Sequence, residues 1–188
     1  MTTAWLAPTA RAIEWAPLLA GTLALSALAV LSSATGWWPV ALVGVCAAVL
    51  AAASVAGLHD RAGALLAAMP TSAAVRRAQR LALLAPVALA VWLGYLGTGQ
   101  LATDGLGWPV AELLALLATG VAVHTWSPDR FAALAGVAAV LVWAGAAIVP
   151  IGLQRLDPPL VEVLLAWEHH PWVVALAALT ITCTGRNR

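Results

Sequence analysis

The chain has 188 residues and a formal net charge of +1; 63% of its residues are hydrophobic and only 9% are charged. Its mean hydropathy is +0.94, whereas an ordinary soluble domain carries about 25% charged residues. These figures exclude a sizeable soluble catalytic module and point to an all-α polytopic membrane protein, in which about six spans use up nearly the whole length.

Residues 2–16 come first. Trp5, Ile13 and Trp15 are set among Arg11 and Glu14, an amphipathic segment that suits the membrane interface better than its interior. Arg11 and Glu14 also stand where a cleavable signal peptide needs its apolar stretch, and no A-x-A site precedes a polar start. The segment is therefore expected to be retained.

A spanning helix needs about 20 mostly apolar residues. On that measure spans are expected at residues 17–33, 38–58, 81–101, 108–126, 131–151 and 171–185. The first closes at Ala34-Thr35-Gly36, and Trp37 and Trp38 stand at the head of the second, where indoles meet the headgroups.

Between the second and third spans lies a long polar interruption, residues 59–80. Ala62, Leu65, Leu66 and Met69 fall at i, i+3, i+4 and i+7, which on a helix is one apolar stripe, with Asp60 and Arg61 flanking its start. Pro70 stops that helix. Thr71 or Ser72 can cap the next, which carries Arg76, Arg77 and Arg80 into the third span. Two readings stay open at this point: a helix lying on lipid with a snorkelling basic flank, or a short docking helix offered to the groove of a soluble partner.

Gly94, Gly97 and Gly99 in the third span form no phosphate loop, which needs a strand before it. They are expected to permit close helix packing. Glu112 lies about one turn inside the outer end of the fourth span, where an ionisable group is costly. It either lines a substrate path or subunit interface, or reaches back to the headgroups beside Trp108.

After the fifth span, Asp157 can cap a helix that begins at Pro158 and Pro159 and ends at Pro171. That helix is too short to cross, and its Glu162, Glu168, His169 and His170 are costly in lipid. Residues 155–170 are thus expected to form a short outer re-entrant element; the competing reading is one kinked helix from Pro158 to Cys183. Glu162, Glu168 and His169 join Glu112 as candidates for a substrate path or subunit interface. Glu168-His169-His170 contains metal-ligating types, but successive helical residues point about 100° apart and no H-E-x-x-H is present, so no metal is expected. Cys46 and Cys183 lack C-x-x-C spacing and read as small buried hydrophobes.

The segment Asp60-x-x-x-x-Leu65-Leu66-x-x-x-Pro70-Thr71-Ser72, preceded by two spans and followed by Arg76 and Arg77, resembles the permease subunits of type-2 ABC exporters. The resemblance extends to the layout: an interfacial N-terminal helix, six spans and a re-entrant element before the last. It implies that residues 59–72 are a coupling helix seated in a cleft of a separate ATPase subunit, present in two copies. It also implies a second permease, identical or related. ATP and Mg would then be held by the ATPase, with no cofactor and no catalytic residue in this chain, which has no Walker motif.

Orientation follows from the arginines, because cytoplasmic loops carry the excess of positive charge. With the N-terminus inside, Arg11, Arg61, Arg76, Arg77, Arg80, Arg130, Arg186 and Arg188 are cytoplasmic and Arg155 alone is outside. Both termini are then cytoplasmic, in the plasma membrane of a bacterium, with membrane lipid as a partner and no nucleic acid. So few polar residues in the spans suit an amphipathic or hydrophobic cargo. The alternatives are a secondary transporter or channel, which needs ionisable relays in several spans, and a membrane-embedded enzyme built on the outer Glu/His cluster.

Overall fold

A computed structural model describes residues 5–36, 42–59, 72–98, 107–148 and 158–185. Among them the regular structure is helical throughout: α1 (Leu6–Ala12), α2 (Ala16–Thr35), α3 (Val43–Ala56), α4 (Ala73–Thr98), α5 (Gly107–Trp126), α6 (Ala132–Ile148), α7 (Pro158–His169) and α8 (Pro171–Thr184). Three helices, α2, α4 and α5, with 20, 26 and 20 residues, are long and apolar enough to cross a membrane. The apolar helices α3 and α8 have 14 residues each, about 21 Å of rise against roughly 30 Å of hydrocarbon.

Local signals explain most of the boundaries. Gly36 ends α2 in the left-handed conformation, φ 68°, which glycine adopts without penalty. The Ser72 side-chain oxygen accepts the Val75 N–H at 3.3 Å at the head of α4, one of the two caps expected there; Thr71 lies outside the described residues. The chain breaks between α7 and α8 at His170, φ −136° and ψ 53°. Pro158 to Cys183 is therefore two helices and not one kinked helix, with Pro158 and Pro171 each opening a helix. Asp157, the expected cap of α7, lies outside the described residues.

The helix α5 is central. It packs most extensively against α8, and then against α3 and α6, which also touch each other; α2 lies outside against α3 and α4. Hydrocarbon is as apolar as leucine, so in a bilayer such helices associate by close packing and hydrogen bonds rather than by the hydrophobic effect. Both are visible. A Cβ built on Gly120 of α5 would come within 2.6 Å of Val55 and 2.8 Å of Val140. Three helices thus converge at a point that leaves no room for a side chain.

The hydrogen bonds follow the same logic. Hydroxyls inside the helices bond back to the preceding turn: Thr22 Oγ1 to Leu18 O, Ser54 Oγ to Leu50 O, Thr119 Oγ1 to Ala115 O and Thr125 Oγ1 to Val121 O, all at 2.7–2.8 Å. Such bonds satisfy polar atoms where no water is at hand. Indoles join different helices: Trp92 Nε1 donates to Pro109 O at 3.0 Å, Trp126 Nε1 to Ile181 O at 2.9 Å and Trp143 Nε1 to Val163 O at 3.2 Å. Large apolar side chains meanwhile point away from the bundle, among them Leu23 of α2 (70% exposed), Val142 of α6 and Leu176 of α8.

Two expectations are corrected. Among the described residues a Cβ added at Gly94 or Gly97 would meet nothing within 4 Å, and close packing is instead at Gly120 and Gly136; Gly99 lies outside the described residues. Cys46 is buried, its Sγ 3.6 Å from the Tyr95 hydroxyl, but Cys183 is exposed.

Candidate functional site

Polar side chains gather at the two ends of the bundle. At one end the last turn of α3 meets the first turns of α4 and the last turn of α5. Arg80 of α4 is 5% exposed, and its Nη1 donates to the Leu58 carbonyl at 3.3 Å and to the His59 carbonyl at 2.7 Å. Those carbonyls belong to the frayed C-terminus of α3 and have no further helical turn to bond. A guanidinium suits them, because it offers several donors in a fixed fork and carries charge at the negative end of a helix.

The clamp has a consequence for the segment between α3 and α4. His59 is the last described residue before it and Ser72 the first after it. Arg80 is two turns into α4, so its bond to His59 ties the entry of the segment to the helix that receives its exit. Asp60, Arg61, Leu65, Leu66, Met69, Pro70 and Thr71 themselves lie outside the described residues; of the expected coupling set, Ser72 alone is described, as a cap.

The same end holds His124 on α5, 5% exposed, with a buried Nδ1 that has no hydrogen-bond partner among the described residues. Arg77, Arg80, His59 and Asp129 all lie within its electrostatic range. Its Cβ would come 3.2 Å from a Cβ built on Gly136 of α6. Neither Arg80's clamp nor His124 was singled out from the sequence. An ionisable residue inside an expected span is the signal that could have found His124.

At the opposite end Glu112, near the start of α5, is 9% exposed. The Trp108 indole N–H donates to its carboxylate, and the Glu168 carboxylate is within electrostatic range. Glu162 and His169 lie seven residues apart on α7, two turns along one face, and their side chains approach to 4.0 Å with both exposed. The structure thus places Glu112 and Glu168 within electrostatic range of each other and pairs Glu162 with His169. The carboxylate of Glu112 turns toward Trp108. Among the described residues no group of three or more His, Cys, Asp or Glu could hold a metal ion.

No protein-family model, curated protein or solved structure matches the chain.

Proposed function

We propose that this chain is the membrane-spanning permease subunit of an ATP-driven exporter of the type-2 ABC class, moving an amphipathic or hydrophobic substrate out of the cytoplasm. In this reading α2, α3, α4, α5, α6 and α8 are the six spans, α1 lies at the interface, and α7 is the outer re-entrant element. Residues 59–72 form the coupling helix, seated in a separate ATPase subunit that holds ATP and Mg. Glu112, Glu162, Glu168 and His169 then stand at the outer mouth of the substrate path or at the interface with a second permease.

The observation that supports the reading most is the clamp of Arg80 on the Leu58 and His59 carbonyls. A segment that transmits force must be fixed at its root, or a push on it bends the connection and leaves the spans where they were. Here both roots converge on one helix, the 26-residue α4. A displacement of the segment is then carried along α4 to the far end, where Trp92 bonds to Pro109 at the start of α5.

Purification from native membranes in a mild detergent tests the proposal. An ATPase subunit should co-elute with the chain, and its hydrolysis rate should respond to apolar amphiphiles. Elution of the chain without any ATPase, from membranes in which transport is intact, would overturn it.

A further inference from the structure

The polar cluster around His124 shares Arg80 and His59 with the clamp but extends beyond it, and its composition asks for an occupant. Arg77 and Arg80 come from α4, His59 from the end of α3, His124 from α5 and Asp129 from the turn before α6. Among the described groups in electrostatic range of His124, two guanidinium groups stand against one carboxylate, beside a second imidazole. Burial is graded: Asp129 is exposed, His59 and Arg77 are half-buried, and Arg80 and His124 are buried.

The decisive observation is the Nδ1 of His124. Buried polar atoms are almost always hydrogen-bonded, and this one has no partner among the described residues. A buried nitrogen without a partner carries its full desolvation penalty, and an anionic oxygen with the imidazole as donor removes it. Basic groups between membrane helices, at the level where a bundle meets water, are built to take phosphate head groups. We propose that this cluster binds a phosphate-bearing anion, with Arg77 and His59 at the entrance and His124 behind them. The shared chemistry is the phosphate, and its source is either a lipid head group or free phosphate; the assignment is independent of whether the chain transports anything.

The test uses the full chain in mild detergent and reads two quantities, the thermal unfolding midpoint and the lipid retained in native mass spectrometry. The probes are mixed micelles with phosphatidylglycerol or phosphatidylcholine, and inorganic phosphate against chloride at equal ionic strength. Phosphatidylglycerol should raise the midpoint where phosphatidylcholine does not, and retention should fall about tenfold in Arg77→Gln and in His124→Gln, the loss expected for one charge-assisted hydrogen bond. A rise with inorganic phosphate alone would assign the site to free phosphate. Arg130→Gln, an exposed arginine in the α5–α6 connection, should change nothing. The inference is overturned if neither phosphate source shifts the midpoint, or if Arg130→Gln lowers retention as much as Arg77→Gln, which would mean that only diffuse charge is being read. Since His124→Gln alters a buried position, the half-buried Arg77→Gln keeps the outcome readable should the first variant fail to fold.

Discussion

A Cβ built on Gly136 of α6 would lie 2.7 Å from the carbonyl oxygen of Gly120 on α5. The obstruction is backbone, which cannot swing aside as a side chain can. Gly136→Ala should therefore force α5 and α6 apart and destabilise the protein by about 1–3 kcal/mol, the usual cost of overpacking. Gly94→Ala is the matched control: its Cβ meets open space and it should be neutral or stabilising by up to about 1 kcal/mol through helix propensity. Thermal unfolding of the two variants in one detergent compares them directly; equal midpoints would contradict the packing described.

Arg80→Met keeps much of the side-chain volume and removes the donors. The Leu58 and His59 carbonyls lose their partner, at a cost of about 1–3 kcal/mol for buried groups. The root of the segment should loosen, and trypsin should cut after Arg61 faster than in the parent. An unchanged cleavage rate would show that the clamp does not restrain the segment.

Leu65→Asp with Leu66→Asp bears on the proposed coupling helix. If residues 59–72 dock in an ATPase, each leucine contributes on the order of 1.5–3 kcal/mol of apolar burial, and the double variant should release or uncouple the ATPase while the spans remain inserted. A helix lying on lipid would lose membrane association and keep the partner. Co-purification at full yield with unchanged transport-coupled hydrolysis would withdraw the coupling role.

His169→Gln with His170→Gln separates transport from catalysis. Both imidazoles are exposed and the Glu162 to His169 approach is 4.0 Å, a surface pair worth about 0–1 kcal/mol at most. ATP-driven transport should survive the change, and the purified protein should contain no stoichiometric zinc. Zinc that disappears with the substitutions would favour an enzyme.

The helices were legible in the sequence because their limits are written in local chemistry. Gly36 stops α2, Ser72 caps α4, and His170-Pro171 separates α7 from α8, each where the residue type demands it. The faces of the helices were not legible. In a soluble helix the buried side is the apolar one, but here α2, α3 and α5 are apolar all round, so nothing in the pattern of α5 marks Gly120 as the position packed against Val55. The clamp escaped for a different reason: Arg80 bonds backbone carbonyls more than 20 positions away, and a carbonyl has no residue type to read.

The bond between Trp126 and Ile181 joins positions 55 residues apart, and it closes the most extensive helix contact in the molecule, that of α5 with α8. During synthesis at about 5–20 residues per second, roughly 3–11 s pass between the making of these two residues. Through that interval α5 has no α8 to rest on, and the Trp126 indole lacks the Ile181 carbonyl. The central helix of the finished protein is therefore a guest of its surroundings while it is being made, and its last neighbour to arrive is the one that holds it most.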